Sequence, residues 1–471
     1  MNYLRLIVFV CVVALVCWSP YFERRLPVAA AQKPKYNVLF IASDDLRPTL
    51  GTYGNNIVKS PNIDKLASQG TRFDRAYCQY PLCNPSRSSL LTGKYPTQTG
   101  VLDNEYYFRA LHPELVSLPQ HFRNNGYSTL RSGKIFHGGV DDSEAWTEGF
   151  EERAFAGAKR PPSNAEGPER VSQSDRIIKL EGDGESNGDY RSATQAIQYL
   201  EKYKDKPFFL AFGLSKPHSP PAAPKKFFDL YDPAKIPLPV DFATRPAAPE
   251  GFPEISIARR NTDLFIGRES PPEAAREMIQ AYYASVTFMD AQVGRVIDAL
   301  DRLKLRDNTI IVFFGDHGYH LGEKGKWSKA YSLFDINIRV PMIIAVPNGK
   351  PGVSGRTVGL MDLFPTLVDL CGLPQPTGQA KLEGHSLAPL LRNPKARWDH
   401  PALSVVTYQG KMGKSVRTER WHYVQWDDGK AGEMLLDTEK DPLELKNLAG
   451  DPAYAKTVAD MRKLLTQIPR Q

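Results

Sequence analysis

Cysteine is scarce in this chain: five residues in 471, two of which, Cys11 and Cys17, lie inside an N-terminal apolar run. That excludes a scaffold built from disulfides. Cys78, Cys83 and Cys371 remain for the body of the protein, and the spacing leaves open whether Cys78 and Cys371 pair or stay reduced. No long block of lysine or arginine occurs, so the footprint of a nucleic-acid binder is missing and no such partner is expected. No internal repeat is found, so the chain is not a repeat array. The apolar run Leu6 to Trp18 is too short to span a bilayer comfortably.

What is present points to an exported globular protein. A hydrophobic content of 41% supports a sizeable core, and 38 prolines imply many fixed loops between elements. The formal net charge of +7 is mild and suits an anionic substrate without requiring one. Arg5 precedes the apolar run, and Ala29-Ala30-Ala31 offers a cleavage site before Gln32. Residues 1–31 therefore read as a signal peptide, and the expected location is secreted or periplasmic. Neither Cys11 nor Cys17 stands where a lipoprotein would be cleaved.

Four short apolar runs each end in a polar cluster. Val38–Ala42 leads to Asp44 and Asp45, Tyr127–Leu130 to Lys134 and His137, Phe208–Phe212 to Lys216 and His218, and Ile310–Phe314 to Asp316 and His317. Continuous apolar runs fit strands covered on both faces, as in a parallel sheet. Helical patterns over Pro113–Asn125 and Ala274–Leu303 alternate with them, which argues for an α/β layered domain. Ligands of such folds bind beyond the carboxyl ends of the strands, where all four clusters fall. Residues 155–190 read as a surface loop, and Leu360–Cys371 as a helix stopped by Gly372 and Pro374. From about residue 396 the pattern changes to short antiparallel strands (Ala402–Thr407, Lys414–Arg417, Trp421–Trp426) and a final amphipathic helix over Ala453–Ile468. The expected organisation is a signal peptide, a catalytic domain over 32–395 and a smaller antiparallel-sheet and helix subdomain over 396–471.

The run Cys83-Asn84-Pro85-Ser86-Arg87, continuing to Leu91-Thr92-Gly93, carries the most chemistry. Pro85 suits a first helical turn, so Cys83 stands at a helix start, one residue before it by this reading. Arg87 lies four residues on and shares its face. The helix N-terminus offers free N–H donors and a positive dipole end to an oxyanion. The adjacent acids Asp44 and Asp45 repel one another unless a cation or proton intervenes, and Asp316-His317 is placed to complete a metal site. Carboxylate oxygens suit Ca²⁺ or Mg²⁺ better than Zn²⁺. His112, His121, His320, His385, His400 and His422 read as capping or packing residues. Arg47, beside the acids, is open to two readings, a contact for a uronate carboxylate or a structural ion pair.

The Cys-x-Pro-Ser-Arg run with its Leu-Thr-Gly tail resembles the signature of the sulfatase family. Ser43-Asp44-Asp45-Leu46-Arg47-Pro48, Gly133-Lys134-Ile135-Phe136-His137, Lys216-Pro217-His218 and Asp316-His317-Gly318 resemble its iduronate-2-sulfatase subgroup, over most of residues 35–395. The resemblance implies an alkaline-phosphatase/sulfatase-like fold with a large, mostly parallel sheet flanked by helices. It implies that Cys83 is oxidised to formylglycine, by a formylglycine-generating or an anaerobic sulfatase-maturating enzyme. It also implies one Ca²⁺ held by Asp44, Asp45, residue 83, Asp316 and His317. The roles it implies are a hydrated aldehyde at position 83 attacking sulfur and Arg87 holding that hydrate. Lys134 and Lys329 neutralise the sulfate oxygens, His218 protonates the leaving oxygen, and His137 takes the proton that releases sulfate. The implied substrates are sulfated sugars or polysaccharides, with 2-O-sulfated uronates foremost. Two alternatives stand beside this: a phosphonate or phosphate monoester hydrolase of the same fold, and a non-catalytic binder of sulfated glycan.

Overall fold

A computed structural model describes residues 36–153, 155, 157–160, 175–377 and 381–469. The signal-peptide reading of residues 1–31 and much of the expected 155–190 loop lie outside the described residues. Among the described residues there are thirteen strands: β1 (Asn37–Asp44), β2 (Thr71–Tyr77), β3 (Ser128–Gly133), β4 (Ile178–Leu180), β5 (Phe208–Pro217), β6 (Ala222–Pro224), β7 (Thr309–Gly315), β8 (Arg339–Ala345), β9 (Gly352–Gly359), β10 (Ala402–Tyr408), β11 (Lys411–Arg417), β12 (Trp421–Trp426) and β13 (Glu433–Asp437). The principal helices are α1 (Pro61–Ala67), α2 (Cys83–Thr92), α3 (Leu118–Asn124), α4 (Gly188–Tyr203), α5 (Pro272–Arg302), α6 (Leu363–Leu370) and α7 (Ala455–Leu465).

A seven-stranded sheet in the order β3-β5-β1-β7-β8-β2-β9 forms the centre. β8 runs antiparallel to both neighbours, β7 and β2, while the other adjacent pairs are parallel. This is the layered, mostly parallel architecture expected. Along β1, Val38, Phe40 and Ala42 enter one core and Leu39 and Ile41 the other, so both faces of the sheet are covered. α4 and α5 cover one face through Ala193, Ala196, Leu200, Met278, Tyr282 and Val286. The other face is shared by α2, α3 and α6 with the second sheet, β10-β11-β12-β13, which is antiparallel throughout and backed by α7. Ser404 Oγ donates to Cys78 O and Val405 N to Gln79 O, tying this second sheet to the segment that leads into α2. No helix among the described residues is long and apolar enough to cross a membrane.

Several boundaries differ from the sequence reading. The helix expected over Pro113–Asn125 begins only at Leu118, because Ser117 caps it by accepting from Gln120 N and Pro119 fills its first turn. Within the expected 155–190 loop, β4 pairs in parallel with β6. The strand β13 escaped notice because its short stretch, Glu433–Asp437, lacks a clear alternation.

Candidate active site

Strand register gathers the four polar clusters. Ser43 of β1 lies opposite Gly315 of β7, and Asp44 opposite Pro217 of β5. Gly133 of β3 pairs with Gly213 of β5, and Lys134 N donates to Gly213 O at 3.1 Å. The four chain exits therefore stand side by side at one sheet edge. α2 closes over them. Leu82 is extended and the helix takes in Cys83 as its first residue, not its predecessor. All ten residues of α2 are buried, and Gly93 ends the helix in the left-handed region at φ 67°, where glycine is favoured. A Cβ at Gly93 would also meet Leu382 at 2.6 Å.

The floor of the site is dry and densely charged. Asp44, Asp45, Cys83, Arg87, Asp316 and His317 are all essentially inaccessible to solvent. Cys83 Sγ lies 3.3 Å from Asp44 Oδ1 and 3.4 Å from His317 Nε2. Arg87 Nε donates to Asp316 Oδ2 at 2.8 Å, and its Nη1 donates to the carbonyls of Lys134 and Ile135 at 2.7 and 2.8 Å. Arg87 Nη2 is buried without a hydrogen bond, 3.9 Å from Asp44 Oδ1. Lys134 Nζ donates to Asp44 Oδ2. Lys329 Nζ donates to Asp45 Oδ2 at 3.1 Å and pairs with Asp263 at 3.3 Å. At the mouth stand the partly exposed His137 and His218. His218 Nε2 is 3.9 Å from Asp45 Oδ2, and its Nδ1 faces Ser219 O at 2.7 Å.

These neighbours set the protonation states. Burial and Asp44 push the Cys83 thiol up, but Lys134, Lys329 and His317 together overcome them and hold it well below the ordinary thiol range. Burial lowers His137, which favours the neutral imidazole. Burial and Lys329 oppose charge on His218, yet Asp45 and Asp44 outweigh them and raise it. The two histidines are thus pushed apart, one toward a base and one toward an acid.

A divalent cation fits the floor. One ligand atom each from Asp44, Asp45, Cys83 and His317 lies within 4.8 Å of the others. Asp45 Oδ1 is buried without a hydrogen bond, and His317 Nδ1, 3.5 Å away, faces Gly318 O at 3.1 Å instead. That contact leaves His317 Nε2 as the nitrogen turned toward Cys83. Burial pushes the Asp45 carboxyl up despite Lys329 and His218. Two abutting buried carboxylates with an orphaned oxygen are what a cation would relieve. Asp316 stands at the rim of this group: its Oδ1 accepts from Asp45 N at 3.2 Å and its Oδ2 is taken by Arg87.

All the residues singled out by sequence, Cys83, Arg87, Lys134, His137, His218, Lys329, Asp44, Asp45, Asp316 and His317, thus come to one site. Arg47 instead forms an ion pair with Glu323 at 2.8 Å, the structural alternative of its two readings. Cys78 and Cys371 are buried and free, so they form no disulfide. His121, His320 and His422 hydrogen-bond within the fold, and His385 stacks on His400. Two buried acids at the site went unnoticed in the sequence. Asp263 is the second partner of Lys329. Asp189, near the start of α4, accepts from Ser215 N and Lys216 N at 2.8 Å each and so holds the loop carrying His218. Asp189 follows the helix cap Asn187, so in sequence it reads as an ordinary first-turn acid.

A cysteine at a buried helix start, clasped by two lysines, an arginine, three histidines and a buried carboxylate pair, belongs to a sulfuric ester hydrolase. The chain is a member of the sulfatase family: the profile described as Sulfatase matches residues 36–373, and one described as N-sulphoglucosamine sulphohydrolase, C-terminal, matches residues 322–471. It is 34% identical to the iduronate 2-sulfatase of Homo sapiens, across 88% of this chain and 91% of that protein. It is 30% identical to a delta 4,5-hexuronate-2-O-sulfatase of Bacteroides thetaiotaomicron, across 93% and 89% of the two chains. A solved 2-O GAG sulfatase superposes with a TM-score of 0.66 at 27% identity, across 92% of this chain and 91% of that one.

Proposed function

We propose that the protein is an exported sulfatase that removes sulfate from 2-O-sulfated uronates in sulfated polysaccharides. Its nucleophile would be formylglycine made from Cys83 by a maturating enzyme, and its metal Ca²⁺. The observation that carries the reading is the seating of Cys83 at the buried start of α2, within hydrogen-bond reach of Asp44 and His317. The names of the similar proteins support the uronate and the 2-O position. Asp44, Asp45, Asp316, His317 and the residue at 83 would hold the cation, an oxygen-rich set once position 83 carries oxygen. When present, formylglycine supplies a hydroxyl nucleophile where a thiol stood, and the cation supplies positive charge to the ester oxygens.

The remaining work falls to the protein's own side chains. Arg87 fixes the helix start to Asp316 and to the Lys134 carbonyl, and keeps Nη2 as a free donor inside the site. Lys134 and Lys329 bring two ammonium groups against the buried acids, where they bind and orient an anionic ester. His218, favoured in its charged form by Asp45 and Asp44, gives a proton to the departing sugar oxygen. His137, favoured neutral, takes a proton from the group at position 83. The test combines peptide mass analysis of the Cys83 segment with turnover of a 2-O-sulfated uronate disaccharide and of phosphate esters. Conversion with sulfate-selective turnover supports the reading. An untouched thiol in the native host, or preferred hydrolysis of phosphate esters, refutes it.

A further inference from the structure

The site described above does not end at the mouth. From Lys134 and His137 an open groove of about 610 Å³ runs past Gly138 to Arg160, Gln195 and Ser215. Its other charged residues are spent: Glu151 is paired with Arg131 at 2.8 Å. Arg160 is different. Its Nη1 donates to Gly138 O at 3.2 Å, and its Nε is buried without a hydrogen bond. Among the described residues no carboxylate pairs with it. Its neighbour Lys159, by contrast, lies 3.2 Å from Glu105. Gly139 brings the chain close beneath this cation, since a Cβ there would stand 3.6 Å from Arg160 Nη1. Arg160 is thus a half-buried positive group without a carboxylate partner among the described residues, held over the residues that directly follow His137, on the groove side of the ester-binding lysine.

We propose that this groove is a second sugar subsite, in which Arg160 receives an anionic group of the sugar next to the one that carries the scissile sulfate. The inference rests on the sulfated-polysaccharide reading above and deepens it. The chemical class is a carboxylate or sulfate ester, because a guanidinium with free N–H groups pairs with a planar or trigonal oxyanion through two parallel bonds. An uncharged neighbouring ring would leave the cation half-buried and unpaired, which is unfavourable. The subsite therefore selects for polymers charged on successive sugars.

The experiment uses the matured full-length enzyme and two unsaturated disaccharides. Both carry the same 2-O-sulfated uronate, joined in one case to N-acetylglucosamine and in the other to N,6-O-disulfated glucosamine. The wild-type enzyme is expected to prefer the disulfated neighbour by about tenfold in kcat/KM, through KM, the size of one charge-assisted contact. Arg160→Gln is expected to erase that preference, and Arg160→Lys to restore part of it. The preference of the wild type should also shrink as salt rises. Equal kcat/KM for the two substrates in the wild type, or an undiminished preference in Arg160→Gln, would overturn the subsite while leaving the uronate reading in place. Failure of the wild type on both disaccharides, with sulfate released from an aryl sulfate, would instead remove the uronate reading and the subsite with it. A melting temperature measured for each variant separates lost binding from lost folding.

Discussion

Removing the Asp189 carboxylate should damage both the fold and the chemistry, and by amounts the structure allows to be reckoned. Asp189 is 2% exposed and accepts the N–H groups of Ser215 and Lys216, each at 2.8 Å. Lys216 Nζ in turn donates to His218 O and Pro220 O, both at 2.9 Å. The loop that carries the acid is therefore held at its start by one carboxylate. Asp189→Ala leaves the buried Lys216 N–H without a partner, at roughly 1–3 kcal/mol, and returns the N–H of the exposed Ser215 to water at a smaller cost. A total loss of about 1–4 kcal/mol corresponds, in a chain of this length, to a fall in Tm of about 1–4 °C. Asp189→Asn should do little better, because its amide oxygen satisfies one N–H while its NH₂ confronts the other. A displacement of His218 by about 1 Å costs kcat roughly 100-fold. The discriminating assay compares two leaving groups. A sugar alcohol needs a proton as it departs, whereas nitrophenolate needs little help, so the loss should be large for a sulfated sugar and small for nitrophenyl sulfate. Wild-type Tm and sugar turnover in Asp189→Ala would refute the reasoning. Equal losses on both substrates would show that Asp189 does not act through the acid.

Arg87→Lys should lower kcat by at least about 100-fold, since a compact ammonium cannot span Asp316 and the two carbonyls that the guanidinium reaches from separate nitrogens; rescue of Arg87→Ala by added guanidine would confirm the loss of the fork. Chelation by EGTA should lower Tm, and excess Ca²⁺ should restore it by about 3 kcal/mol of stability at 100-fold over Kd, because Asp44 and Asp45 are left abutting without the ion; thermal melts with and without Ca²⁺ check this. Thiol titration of denatured protein expressed from residue 32 should find Cys78 and Cys371 reactive without reductant, and Cys83 absent from the count once matured. Burial pushes the Asp362 carboxyl up to about 7, against bonds from His385 N and Gly359 N. An unfolded aspartate ionises near pH 4, so the folded state holds the extra proton between roughly pH 4 and 7 and stability declines as pH rises through that window. Asp362→Asn should flatten part of the decline, as read from urea midpoints across the same range.

The sequence by itself determined the sheet and the reacting groups. Val38–Ala42, Phe208–Phe212 and Ile310–Phe314 are continuous apolar runs too short for helices and closed by polar clusters, which fits strands buried on both faces, so β1, β5 and β7 were legible, and with them β3 from the shorter run Tyr127–Leu130. Their polar exits had to fall at one sheet edge, which placed Asp44, Lys134, His218 and Asp316 near Cys83 before any coordinates. Local rules also marked the start of α2 to within a residue or two, since Pro85 suits a first helical turn; the structure begins the helix at Cys83 and ends it at Gly93. Tertiary structure alone decided how the charges are divided. Arg87 meets Asp316 across 229 residues, Lys329 meets Asp45 across 284, and Asp189 reaches the Lys216 backbone across 27. Sequence states which residues can ionise; it does not state which of several lysines, arginines and acids will be neighbours. That is why Arg47 could be read two ways until Glu323 was found against it, why Asp189 and Asp263 passed as ordinary surface acids, and why Arg160 drew no notice. Pairing energies depend on distances of a few ångströms in a low-dielectric interior, and packing of the whole chain sets those distances.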